Sequence, residues 1–205
     1  MIYVEVEQDS LAYVRERLGS KADQAPKAVR NAANDTAVWA RMQLLREAQS
    51  RYTVKSTGFK RSAQIKRATL STLTSEIRVK GKTLRIVNYK TTAPKSGVKA
   101  QVLTGEALKT LLYGGKIKAF KTKVATGYKN VNGTATKADK KTDMVLQRKS
   151  SKRMPVKAIH GPSIPKMIEK VYSGGRVTDE GLKRKIDEMF QTKLNYQIER
   201  ILSQE

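Results

Sequence analysis

Val145-Leu-Gln-Arg-Lys-Ser-Ser-Lys-Arg-Met-Pro-Val-Lys-Ala-Ile-His-Gly-Pro-Ser-Ile-Pro-Lys-Met167 is the stretch on which the reading of the fold turns. Val145, Leu146, Met154, Val156 and Ile159 alternate loosely with Arg148, Lys149, Lys152, Arg153 and Lys157, which suits an extended ribbon with one apolar face buried and a cationic face outside. Pro155 has no N–H to give a neighbouring strand, so the ribbon belongs at an edge or an end of a sheet. Gly161, Pro162 and Ser163 read as a turn: a free backbone, a fixed φ, and a hydroxyl able to cap the next helix. Pro165 fits the first turn of that helix, whose apolar face begins with Met167, Ile168 and Val171.

Charge is distributed unevenly around that ribbon. The net charge is +24 over 205 residues. Residues 1–51 hold 8 Lys/Arg against 7 Asp/Glu, residues 52–160 hold 26 against 4, and residues 161–205 hold 8 against 7. A block with a net charge of +22 must be solvated or face a polyanion, because packed cations repel one another. Nucleic acid is the favoured partner, and a generally basic surface is the plainer reading. There is no cysteine, hence no disulfide framework and no thiolate metal site. No basic leader with an apolar run opens the sequence, and no run of eighteen apolar residues occurs, so no membrane is expected and a cytosolic product is.

Working outward, Ile2, Val4 and Val6 alternate as a short strand, and Asp9 or Ser10 can cap a helix with Leu11, Val14 and Leu18 on one side, stopped by Gly19. The longest helix is expected over residues 24–51, with a stripe through Val29, Ala32, Ala33, Val38, Met42, Leu45 and Tyr52. Trp39 lies beside it, for packing in the core or against another subunit. A short helix is expected around residues 62–66. Strands over residues 76–80 and 83–89 would be joined by a Gly81-Lys82 hairpin turn. A further strand is read over residues 98–103, a short helix or turn over 105–113 and a strand over 117–125, then an exposed basic hairpin tip over 129–142. Thr178, Asp179 and Glu180 should start the last helix, whose stripe is Leu182, Ile186, Met189, Phe190, Leu194, Ile198, Ile201 and Leu202. That stripe should pack beside the first long helix, or serve a neighbouring subunit.

Together these elements make the fold class α+β: a mainly antiparallel basic sheet packed by a long N-terminal Ala-rich helix and a long C-terminal amphipathic helix. One domain is expected over residues 1–205. Its parts are a strand and short helix (1–23), the long helix (24–52), a basic β-rich core (53–160), and a turn with C-terminal helices (161–205).

An enzyme needs convergent groups. His160 is the single histidine, and Glu76, Glu106, Asp139 and Asp143 are the only acids in residues 52–160. These are too scattered to suggest a carboxylate pair or a metal cluster, and no phosphate loop occurs, so neither an enzyme nor a cofactor is expected. His160 reads as a turn residue bonded to backbone. Zinc-finger ligands, aromatic RNA-recognition strands and a basic zipper are also lacking, which leaves a sequence-independent basic surface. Its DNA-facing or partner-facing candidates are Lys118, Lys121, Lys123, Lys129, Lys137, Lys140, Lys141, Arg148, Lys149, Lys152 and Arg153.

Arg148, the Arg153-Met-Pro-Val156 step and Ala158-Ile-His-Gly-Pro-Ser-Ile-Pro-Lys-Met167 together resemble the prophage minor tail protein Z family of tailed phages. The order of parts is similar too: an Ala-rich long helix, a basic sheet region, Lys118-Ala-Phe-Lys121 before a variable hairpin, a strand ending in arginine, then the Gly-Pro-Ser turn and a C-terminal helix. The resemblance covers roughly residues 24–202, and residues 1–19 have no counterpart in it. It implies a tail completion or minor tail protein in the virion, made in the host cytoplasm. Such a protein would form a homo-oligomeric ring, with six copies the expectation, at the head-proximal end of the tail. Neck or connector proteins, tail terminator or tube proteins and the packaged DNA end would be its partners. Gly161, Pro162, Ser163 and Pro165 are then fold-defining. The alternative is a free, sequence-independent nucleic-acid-binding protein.

Overall fold

A computed structural model of the chain describes residues 2–4, 8–54, 59–125, 128–129, 135–136, 141–174 and 181–204. It has an α+β fold with antiparallel sheets. The chain, expected from its sequence to be one domain, divides into two compact units: a helical unit of Met1–Gln49, Thr57–Gly81 and Ile164–Glu205, and a β unit of Ser50–Ser56 and Lys82–Ser163. The chain passes between the units at residues 49–50, 56–57, 81–82 and 163–164.

In the helical unit, β1 (Ile2–Val4), β2 (Ala63–Lys66) and β3 (Ser75–Val79) form one antiparallel sheet with β3 central. Its helices are α1 (Gln8–Leu18), α2 (Ala25–Arg51), the single turn α3 (Phe59–Ser62), α4 (Ile164–Ser173) and α5 (Lys183–Leu202). Gly19 ends α1 with φ +53, a left-handed conformation that glycine adopts without steric cost. The last helix lies against α1 and β1, and α4 against α3 and β3. Leu182, Ile186, Phe190, Leu194 and Ile198 are all buried, so the α5 stripe is core, whereas Leu202 is exposed and Met189 half-buried. The start expected at Thr178, Asp179 and Glu180 lies outside the described residues.

The buried face of α2 differs from the expected stripe. Val38 and Met42 are exposed, Trp39 is half-buried, and the buried positions are Ala25, Ala28, Val29, Ala32, Ala33, Thr36, Ala37, Ala40, Leu44, Leu45 and Ala48. Small side chains let a neighbour approach closely, so alanines make up most of the core face, joined by Val29, Leu44 and Leu45, while Val38 and Met42 are left outside. Asn34 fastens this helix to the loop before β3. Its Oδ1 accepts from the Ala68 amide and the Ser75 hydroxyl, both at 2.8 Å, and its Nδ2 donates to the Ala68 carbonyl.

Two further expectations are corrected. Residues 63–66 are a strand rather than helix, since Ile65 and its neighbours pair with β3. Gly81-Lys82 is not a hairpin turn, for β3 pairs with β1 and β2 while the next strand pairs elsewhere. Alternation identifies a strand but not its partner. Gly81 is needed for another reason: a Cβ there would lie 3.2 Å from Pro165 Cδ at the start of α4.

The β unit opens with β4 (Thr83–Arg85) and continues through β5 (Lys90–Thr92), β6 (Lys99–Gln101), β7 (Lys109–Thr110), β8 (Leu112–Tyr113), β9 (Ile117–Lys118) and β10 (Phe120–Ala125). It ends with β11 (Tyr128–Lys129), β12 (Ala135–Thr136), β13 (Lys141–Arg148), β14 (Val156–Ala158) and β15 (His160–Ser163). Residues 109–110 and 112–113 are strand where a helix or turn was expected. Gly161, Pro162 and Ser163 are strand too, not turn: β15 pairs antiparallel with β4 through an irregular register, so the first and last strands of the unit close it. His160, exposed, sits opposite Arg85 in that pairing.

Tyr89, fully buried, explains why this strand carries glycine. Its hydroxyl donates to the Pro162 carbonyl at 2.6 Å, and a Cβ on Gly161 would lie 2.4 Å from the ring. Tyr52, expected on the helical stripe, is instead buried in the β unit and bridges to Leu103. Among the described residues no helix is long and apolar enough to cross a membrane.

Candidate functional site

The two units differ in net charge. In the sequence, the β unit holds 21 Lys/Arg against 3 Asp/Glu, a difference of +18, and the helical unit holds 21 against 15, a difference of +6. The cations are thus equally divided, and the difference lies in the acids, 15 of the 18 belonging to the helical unit, which leaves the cations of the β unit with few countercharges.

Within it, β10, β13 and β14 form a three-stranded antiparallel sheet whose register puts Phe120 opposite Leu146, Lys121 opposite Val145 and Arg148 opposite Val156. Strand alternation then sets Phe120, Leu146, Arg148 and Val156 on one face and Lys121, Lys123, Asp143, Val145, Gln147 and Lys157 on the other. The expected separation of an oily from a cationic face does not hold here. Val145 and Gln147 are buried on the face that also carries the lysines, while Phe120, Leu146 and Val156 are half-buried opposite. Met154, expected to be buried, is exposed in the bend at residues 149–155.

Buried Gln147 joins this sheet to the preceding hairpin by donating from Nε2 to the Ile117 carbonyl at 3.0 Å. The hairpin of β8 and β9 turns through Gly114 and Gly115, both left-handed at φ +57 and +75, and so presents Lys116 and Lys118. A second turn, Pro94 to Gly97, is closed by a hydrogen bond from the Gly97 amide to the Pro94 carbonyl at 3.0 Å. Between the two turns and the start of β10 lies a groove of about 590 Å³. Lys95, Lys116, Lys118, Lys121 and Arg148 line it beside Phe120, and among the described residues no acid does.

Two of these cations are held by packing. Gly97 has φ +117, and the Lys118 stem packs against it, its carbons 3.2 to 3.4 Å from where a Cβ would stand. The Arg148 guanidinium lies 5.5 Å from the Phe120 ring centroid, a cation–π contact between diagonal neighbours on one sheet face. Lys157 lies similarly 5.0 Å over Tyr113. By contrast Lys121 pairs with Asp143 at 2.9 Å. The hydrogen bond from Lys121, and then its charge, hold the Asp143 carboxyl below the usual carboxylate range.

Of the residues singled out in the sequence, Lys118, Lys121 and Arg148 meet at the groove. Lys123 lies farther along β10, opposite Asp143, and Lys149, Lys152 and Arg153 are exposed in the bend after β13. Lys129 and Lys141 fall within strands, with nothing described of their side chains, and Lys137 and Lys140 lie outside the described residues. Sequence reasoning missed Lys95 and Lys116. Each sits within two residues of a turn glycine, Gly97 or Gly115, and that was the available signal. Among the described residues no group of three or more His, Cys, Asp or Glu could hold a metal ion. The arrangement can attract and orient an anion. Comparison with family models, with curated proteins and with solved structures finds no match to this chain.

Proposed function

We propose that the protein is a structural component of a tailed-phage virion. It is read as a tail completion or minor tail protein at the head-proximal end of the tail, forming a ring and joining the tail to the neck. The observation that carries this reading is the segregation of charge: a net +18 in one compact unit against +6 in the other. One unit is furnished to pack, the other to face a polyanion, and a ring of such subunits would surround a DNA end with a dense positive field. The resemblance of residues 145–167 to minor tail proteins supports the choice of setting. The acid-free groove also supports a second reading, a free protein that binds nucleic acid without regard to sequence.

Particle fractionation separates the two. A tail component sediments with tails or whole particles and is lost from tails assembled without its gene. A free binder stays in the light fractions and shifts DNA as a monomer, and that result overturns the particle reading.

A further inference from the structure

We infer that the groove bounded by the Pro94–Gly97 turn, the β8–β9 hairpin and the end of β13 is a binding site for a nucleic-acid phosphodiester backbone. This deepens the reading of the β unit as the polyanion-facing part and rests on it. Four cations carry the site: Lys95, Lys116, Lys118 and Arg148. Lys121 shares the groove, but its charge is offset by Asp143.

A patch of surface lysines alone would be unremarked, because flexible cations are usually solvated. Here two are oriented before any ligand arrives. The Lys118 stem lies close against Gly97, and the Arg148 guanidinium lies over Phe120. Neither side chain is held by a carboxylate among the described residues, so the groove keeps its positive charge while losing part of the entropic cost of ordering a ligand. Phosphate is favoured over bases as the bound group. Phe120, the aromatic residue of the groove, is half-buried and covered by Arg148, so no open ring is left there for stacking. Nucleic acid is favoured over an acidic protein segment because the cations of the β unit continue beyond the groove along β10 and the bend after β13, which suits a long polymer of regularly spaced charge.

The test is anisotropy titration of a labelled 20-base-pair duplex with the full chain over a range of NaCl concentrations. Neutralising all four groove cations, with Lys to Met and Arg148→Gln, should remove about 3 to 4 units from the slope of log affinity against log salt, roughly 0.9 per phosphate contact. The single variant Lys118→Met keeps the stem against Gly97 and should lower the slope by about 1, with Lys118→Arg restoring it. Lys121→Met should change the slope less than Lys118→Met does. Replacing Lys149, Lys152 and Arg153 together is the comparison set. If that set removes the slope and the groove set does not, the site is wrong while the polyanion reading of the β unit stands. If wild-type protein binds poly-glutamate through the groove and leaves the duplex unbound, the nucleic-acid assignment is overturned. Absence of any duplex binding also overturns it, whereas particle fractionation judges the tail reading separately.

Discussion

The helical unit contributes 26 of the buried apolar residues among those described, the β unit 7. In the first, Leu, Ile, Phe, Met and alanines interlock across helices and a small sheet. In the second, Ile86, Tyr89, Val98, Val145 and small residues form a thin core under many exposed cations. Stability from burial scales with apolar area, while a high net charge lowers it by self-repulsion. The contrast teaches that one part of the chain is built to hold together and the other to display charge on a minimal framework.

The sharpest way to break this contrast is truncation in the thick core. Leu194, fully buried on α5, should cost about 2 to 5 kcal/mol on replacement by Ala, read by denaturant unfolding. A loss near zero would mean the helical unit is not the stable half. Next is Gly161→Ala, whose Cβ meets the Tyr89 ring, with an expected cost of about 1 to 3 kcal/mol and loss of amide-exchange protection confined to the β unit. Tyr89→Phe removes only the hydroxyl bonded to Pro162 and should cost about 1 kcal/mol. Thr36 tests the other unit in the opposite direction. Its buried hydroxyl has no hydrogen-bond partner among the described residues, so Thr36→Val should be neutral or stabilising by up to about 1 kcal/mol. Met42→Ser, on the exposed side of the same helix, should stay within about 0.5 kcal/mol.

Titration separates the units least. Burial raises the Tyr89 pKa well above its ordinary value. The stability it contributes is present below the unfolded tyrosine pKa of about 10 and is lost as pH rises through the higher folded value. Asp143 behaves oppositely. With its folded pKa depressed by Lys121, its small contribution is present above the unfolded value of about 3.9 and fades as pH falls through the folded one. Amide exchange in β10 and β13 at pH 3 and pH 6 would show it.

Much of the helical unit is legible in the sequence. Spacing places α1, α2 and α5, and glycine marks the end of α1. The face of α2 is not, because a periodic count favours large side chains such as Val38 and Met42, whereas close approach favours Ala37, Ala40 and Ala48. Strand pairing is lost for a similar reason. Residues 76–80 and 83–89 both alternate, yet β3 pairs with β1 and β2, and of the second run only Thr83–Arg85 is strand, paired with distant β15, while Ile86–Asn88 is a 3-10 turn. Gly161-Pro162-Ser163 has the composition of a turn and becomes a strand by pairing with β4, while Tyr89, more than seventy residues away, is what requires the glycine. Of the groove, Lys118 and Arg148 were identifiable by type. Their positioning by Gly97 and Phe120 was not.

The helical unit is assembled from three separate stretches, and the largest part of the β unit is encoded between the second and the third. During synthesis α4 and α5 therefore leave the ribosome after the strands, and the faces of α1 and β1 that α5 covers must wait for it. The nascent chain thus shows its cationic half while the apolar half is still open. Translation rate through residues 82–163 then governs how long that oily surface stays uncovered.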